Sequence, residues 1–112
     1  MPVTGQDATP DGLKAILTGD QYMTVYKPIK QEAEAAAKLA AALAKGDKGA
    51  ADALATGVVH DPTGNRDVKS ALKEPQLITK ADVKNVVADG FVKASDICSG
   101  ALAAVCTQLG IS

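Results

Sequence analysis

Pro2-Val3-Thr4-Gly5-Gln6-Asp7-Ala8 and Tyr22-Met23-Thr24-Val25-Tyr26-Lys27-Pro28-Ile29 are the two stretches whose reading decides the fold of this chain. Each reads as a short strand that ends on a charged residue and hands over at once to a helix. With one helix between them, the strands are expected to lie side by side and parallel. Asp7 and Lys27 then both stand at the carboxyl ends of their strands, the edge of an open α/β sheet beside which ligands bind. Asp7 brings two acceptor oxygens and Lys27 three N–H donors. No His, Cys or Ser nucleophile accompanies them, so the pair suits capture of a polyhydroxylated small molecule better than catalysis. Spacing alone leaves two blander roles equally open: Asp7 as a cap of the following helix, and Lys27 as a solvated lysine at a strand end.

Outward from these stretches, Thr9-Pro10 is a helix start, with the hydroxyl as cap and proline at the first helical position. Leu13, Ile16 and Leu17 form its apolar stripe and Gly19 ends it. Met23 and Val25 share one face of the next strand. Pro28 opens a long helix with Ile29, Ala33, Ala36, Ala40 and Leu43 at helical spacing, which Gly46 stops. Residues 47–55 predict a short helix, Gly57-Val58-Val59-His60 a strand, and residues 61–65 a turn. Extended segments are expected over residues 68–72 and 76–78. Thr79 and Asp82 resemble a capping box with Asp in place of Glu, ahead of a helix that buries Val83, Val86 and Val87 and ends at Gly90. A last helix over residues 101–109 carries Leu102, Val105, Cys106 and Leu109.

Composition limits the function classes. The 112 residues carry a net charge of −1 and are 46% hydrophobic, which describes a globular chain rather than a disordered one. There is no basic excess to attract nucleic acid. No apolar run is long enough to span a bilayer, and the first residues lack a secretory signal, so export depends on sequence outside these residues. Met1 is compatible both with a true start and with an internal methionine. No triad, phosphate loop or metal cluster is present, so neither an enzyme nor a cofactor is expected. The acidic turn from Asp61 to Asp67 lacks the spacing and terminal Glu of a calcium loop. His60, the one histidine, reads as a solvated loop residue, and the charges along residues 30–45 as a solvated helix face. Gln6 and Tyr26 point away from the charged pair as core or supporting groups. Gly5 is expected to allow close backbone packing.

The words Gly5-Gln6-Asp7-Ala8 and Tyr22-Met23-Thr24-Val25-Tyr26-Lys27-Pro28-Ile29, followed by Gly64-Asn65-Arg66-Asp67-Val68 and by residues 78–91, resemble the periplasmic D-xylose-binding proteins of sugar ABC transporters. These lie within the ribose-binding-like, type I periplasmic-binding-protein superfamily. The twenty-position interval between Asp7 and Lys27 matches the family motif without a gap. The resemblance implies an α/β fold: the carboxyl-terminal part of a two-lobed receptor, a parallel sheet with flanking helices, incomplete in this chain. Residues 1–27 would be a strand-helix-strand piece of the carboxyl-terminal lobe, 28–74 helix and strand segments of the amino-terminal lobe, and 75–112 the return segment and terminal helices.

It further implies Asp7 and Lys27 as contacts to a monosaccharide, with an ABC permease as partner of the full-length parent, periplasmic or extracellular at the cell surface. Stacking aromatics would lie upstream, since this chain offers only Tyr22, Tyr26 and Phe91. Cys98 and Cys106 stand about 12 Å apart on an unbroken helix, too far for a disulfide, unless Ser99-Gly100 breaks it. In an exported parent such a pair is usually bonded, with two buried free thiols as the alternative. A zinc site lacks ligands. The rival from another class is a stand-alone structural or interaction fragment that dimerises and binds no sugar. Because the resemblance divides the chain between two lobes, the faces Leu13-Ile16-Leu17 and Ile29-Ala33-Ala36-Ala40 would lack their usual partners, which implies self-association or pairing with the amino-terminal lobe of the parent.

Overall fold

Thr4–Gln6 (β1) and Met23–Tyr26 (β2) pair in parallel, with Thr4 opposite Met23 and Gln6 opposite Val25, and Pro10–Thr18 (α1) connects them. The computed structural model describes residues 1–112 and divides them into two units, Met1–Lys27 with Pro75–Ser112, and Pro28–Glu74.

In the first unit the local chemistry of α1 sets its limits. The Thr9 hydroxyl accepts the Gly12 N–H at 3.2 Å and Pro10 occupies the first turn. Gly19, at φ 96°, closes the other end by donating to the carbonyls of Ala15 and Ile16. A residue with a β-carbon adopts that φ only at a cost, which is why glycine stands there. Leu13, Ile16 and Leu17 are fully buried. This corrects the expectation that they lack partners: they pack in one core with Tyr26, Ile78, Val83, Val86, Ile97 and Cys106.

The third strand, Gln76–Ile78, runs antiparallel to β2, with Tyr26 opposite Gln76 and Thr24 opposite Ile78. The sheet, ordered β1, β2 and then this strand, is therefore mixed and not the parallel sheet expected. The cause is topological. The chain leaves β2 at Tyr26 and re-enters at Gln76 on the same edge, and a strand entering where its neighbour ends can only pair antiparallel. The inward face of β2 is made by Thr24 and Tyr26, while Met23 and Val25 stay half-buried on the other.

Beyond this strand, the Thr79 amide and hydroxyl both donate to the Asp82 carboxylate, at 3.1 and 2.6 Å. Those bonds, the hydroxyl's first, hold the Asp82 carboxyl below its usual range. The amide bond is the half of a capping box in which the carboxylate reaches back, whereas the hydroxyl donates to that carboxylate instead of accepting the Asp82 N–H, which goes to the Thr79 carbonyl. The pair locks the turn before the helix Val83–Ala88. A short helix, Ala94–Ile97, absent from the sequence reading, buries Ile97. Gly100, at φ 60°, separates it from the helix Leu102–Leu109. Cys98 therefore lies before that helix, and a disulfide joins it to Cys106 with the Cα atoms 5.8 Å apart.

The second unit contains helices Ile29–Ala44 and Lys48–Leu54 and an antiparallel hairpin, Gly57–Asp61 with Arg66–Ser70. Numbered in chain order, these are α2, α3, β3 and β4; in the first unit Gln76–Ile78 is β5, and Val83–Ala88, Ala94–Ile97 and Leu102–Leu109 are α4, α5 and α6. Asp47 caps α3 by accepting the Ala50 N–H at 2.9 Å. Asp61 accepts the N–H groups of Thr63 and Gly64, tightening the hairpin turn. That turn ends at Asn65, so the second strand begins two residues earlier than residue 68. His60 sits on β3, not in a loop, opposite Asp67 and 2.9 Å from its carboxylate, and both are exposed. Besides Pro28 at its start, the buried apolar side chains of this unit are Ala42, Ala51 and Ala55, whereas Ile29, Ala33, Ala36 and Ala40 are exposed.

Candidate functional site

The parallel register of β1 and β2 carries Asp7 and Lys27 to the same edge, one residue past each strand. There the Lys27 Nζ lies 2.9 Å from Asp7 Oδ1, with the lysine side chain 37% and the aspartate side chain 59% exposed. An ion pair this wet contributes only about 0–1 kcal/mol to stability. The fold does not depend on it, so a ligand that replaces one partner's contact with its own hydroxyls disturbs little else. Together the two groups offer a carboxylate acceptor and an ammonium donor at one point of an open surface.

The backbone under Asp7 is unusual. Asp7 has φ 76° and Ala8 φ 46°, two successive non-glycine residues in the left-handed region. Asp7 donates its N–H to the Val25 carbonyl at 2.8 Å, and the fully buried Ala8 donates its own to the Thr24 hydroxyl at 3.3 Å. Aspartate is among the residues that tolerate this region, which is a weak signal in sequence; alanine gives none.

Around the pair, Tyr26 is buried with its ring 5.1 Å from that of Phe91, and its hydroxyl donates to the Asp89 carboxylate. Burial first, and then the bond to Asp89 and the charge of its carboxylate, push the phenol up to about 12. Tyr26 is therefore a core group that anchors the end of β2. Gln6 is exposed, so its expected place in the core or beside the pair is corrected: on the three-stranded sheet it faces solvent. At Gly5 the close neighbour is a side chain and not backbone, because a β-carbon there would stand 2.5 Å from Gln21 Nε2.

A groove of about 570 Å³ lies elsewhere in the first unit, at the amino-terminal edge of β1 and β2 against Val3, Ile16, Tyr22 and Lys80. Three of its polar side chains are engaged within the chain. Asp20 accepts from the Thr18 hydroxyl, the Gln21 amide donates to the Met23 carbonyl, and the Thr79 hydroxyl serves Asp82. Converging polar groups are what orient a small ligand, and the Asp7–Lys27 edge brings a carboxylate acceptor and an ammonium donor to one point. No group of three or more His, Cys, Asp or Glu side chains is placed to hold a metal ion. No helix is long and apolar enough to cross a membrane.

No protein-family model matches the chain. Two curated relatives do. The chain is 40% identical over 96 residues to the D-xylose-binding periplasmic protein of Escherichia coli, a match covering 85% of this chain and 27% of the relative. It is 37% identical over 90 residues to the D-xylose-binding periplasmic protein of Haemophilus influenzae, covering 80% of this chain and 25% of the relative. The resemblance read from the strand-end words thus extends over most of the chain, which spans about a quarter of the length of the relatives it matches.

Proposed function

We propose that this chain supplies one wall of a sugar-binding cleft, for D-xylose or a related pentose or hexose, in the solute-binding component of an ABC importer. The observation that carries this reading is the Asp7–Lys27 pair, 2.9 Å apart at the carboxyl edge of two parallel strands, in a chain similar to two periplasmic proteins named for binding D-xylose. Charge-assisted hydrogen bonds from such a pair to adjacent hydroxyls contribute roughly 1.5–3 kcal/mol each. Residues 1–27 belong to the carboxyl-terminal lobe of the complete receptor and 28–74 to the amino-terminal lobe, with 75–112 as the return segment. The complete receptor is periplasmic and presents its sugar to a membrane permease.

One open wall does not enclose a ligand, so the chain alone binds D-xylose weakly. The expected Kd is millimolar or higher, on the order of −4 kcal/mol or weaker. Titration with D-xylose followed by NMR checks this: the Asp7 and Lys27 signals shift, and substitution of either residue by alanine abolishes the shift of the other. Micromolar affinity in the monomeric chain contradicts the single-wall reading. Unmoved Asp7 and Lys27 signals at saturating sugar contradict the site.

A second reading, self-association of a chain that binds no sugar, draws support from the exposed Val58, Val59, Val68 and Leu43 of the second unit. Apolar patches and open strand edges favour association. Light scattering at micromolar concentration separates the two readings, since a dimer that leaves D-xylose unbound is the outcome only this one expects.

A further inference from the structure

We infer that Thr24 is the positioning residue of the Asp7–Lys27 site: its buried hydroxyl holds the Asp7–Ala8 elbow in the two left-handed conformations that aim the Asp7 carboxylate at Lys27. As far as sugar binding is concerned, the inference rests on the reading of Asp7 and Lys27 as its contacts.

Three observations carry it. Asp7 and Ala8 adopt φ values of 76° and 46°, and L-residues with a side chain enter that region only when surrounding structure holds them there. The elbow amides have separate anchors on β2. The Asp7 N–H continues the sheet's bonding to the Val25 carbonyl at 2.8 Å, whereas the Ala8 N–H meets a side chain, the Thr24 hydroxyl at 3.3 Å. Ala8 is fully buried, so without that hydroxyl its N–H loses its partner where water does not reach. Lastly, Thr24 is the buried polar side chain of this core, 1% exposed and opposite Ile78 on the inward face of β2. Valine has the same shape and buries more apolar surface. The oxygen therefore serves the one bond it makes to the elbow.

The consequence lies at Asp7. Had β1 continued as a regular strand, the side chain after Gln6 would alternate to the opposite face by the pleat. In the left-handed elbow the carboxylate instead stands 2.9 Å from Lys27 Nζ. Thr24 makes no hydrogen bond to either charged group and acts through the Ala8 amide.

The test compares Thr24→Val and Thr24→Ser in the full 112-residue chain by NMR, with circular dichroism as the check on folding. In Thr24→Val the Ala8 amide is expected to exchange about five to ten times faster, the factor corresponding to one lost hydrogen bond. The Val25 amide keeps its rate, and the proximity signal between the Asp7 and Lys27 side chains disappears; Thr24→Ser restores both. D-xylose then shifts the Asp7 and Lys27 signals of the unmodified chain and of Thr24→Ser at lower concentration than in Thr24→Val. Unchanged Ala8 exchange and an intact Asp7–Lys27 proximity in Thr24→Val overturn the inference whatever the sugar does. An elbow that loosens as expected, in a chain whose Asp7 and Lys27 ignore D-xylose, overturns the sugar reading and leaves Thr24 as the holder of the elbow. Should Thr24→Val fail to fold, Thr24→Ala against Thr24→Ser, two small residues differing by the hydroxyl, carries the same comparison.

Discussion

The two units of this chain differ in what they bury. The first unit closes Leu13, Ile16, Leu17, Ile78, Val83, Val86 and Ile97 into one core, whereas the second buries Ala42, Ala51 and Ala55. Helix α1 and helix α2 both repeat apolar residues at helical spacing, so periodicity does not separate them. Side-chain size does. A fully buried Leu, Ile or Val contributes about 1.5–3 kcal/mol, and an alanine methyl roughly the value of a single methylene. Within the second unit, therefore, order comes from helix and hairpin hydrogen bonding, and a two-stranded hairpin is marginal by itself in water. The pattern places a helix; the volume at the patterned positions decides whether it stabilises its own unit.

Large-to-small substitution puts the greatest strain on this contrast. Leu13→Ala or Ile16→Ala is expected to destabilise the chain by about 2–5 kcal/mol, through lost transfer free energy and the cavity left behind. Leu43→Ala and Val59→Ala, at exposed positions of the second unit, are expected to change it by under about 0.5 kcal/mol. Urea unfolding, read from the midpoint at constant slope, checks both. Equal losses in the two units would mean that the hairpin and α2 are covered in solution.

The disulfide gives a smaller effect confined to one unit. Cys98 and Cys106 are eight positions apart, and the chain-entropy estimate for so short a loop is about 2.5 kcal/mol. Cys98→Ser with Cys106→Ser is expected to lower stability by that order. Amide exchange should quicken around Ile97 and Leu102 while the hairpin amides keep their rates. Hairpin amides that quicken equally would show that the units unfold as one.

How far these features could be read from the letters depends on whether their cause is local. Thr9-Pro10, Gly19 and the spacing of Leu13, Ile16 and Leu17 are written in adjacent residues, and so is the emergence of Asp7 and Lys27 at strand ends. The direction of β5 is not, because it depends on where the chain returns to the sheet across some fifty intervening residues of the second unit. Helix α5 is a single turn with one buried residue, Ile97, and so has no period to detect. The left-handed elbow left its weak trace at Asp7 only. Its anchor, Thr24, lies sixteen positions from Ala8, on the inward face of β2 that it shares with Tyr26.

Alkali probes the same core from its polar side. With the phenol pushed up from 10 to about 12 in the folded chain, Tyr26 folds best when protonated. Its contribution is complete below pH 10 and is lost as pH rises through 12. The loss is on the order of 2 kcal/mol, at 1.36 kcal/mol per unit with allowance for partial hydration. Tyr26→Phe is expected to flatten this part of the stability profile, measured by urea unfolding between pH 9 and 12. In acid the sign reverses: Asp82, lowered by its bonds from Thr79, gives stability that is lost as pH falls through its folded value, and Asp82→Asn removes that dependence. A profile that survives Tyr26→Phe unchanged would place the alkaline loss outside the first unit's core.

The smallest expected effect concerns the charges. Lys27 and Asp7 in the first unit, and Lys69 and Asp52 in the second, stand at the same 2.9 Å, and all four side chains are more than a third exposed. Coulomb attraction between exposed groups is weak and screened by salt. Double-mutant cycles with Asp7→Asn and Lys27→Met, and with Asp52→Asn and Lys69→Met, are therefore expected to give couplings between about 0 and 1 kcal/mol in both units. Asparagine keeps the tolerance for positive φ that alanine lacks, so the Asp7 substitution removes charge without straining the elbow. Matching couplings would locate the difference between the units in apolar burial alone. A distinctly larger value for Asp7–Lys27 would mean that the pair holds its edge of the sheet together, and a ligand could then enter only by spending folding energy.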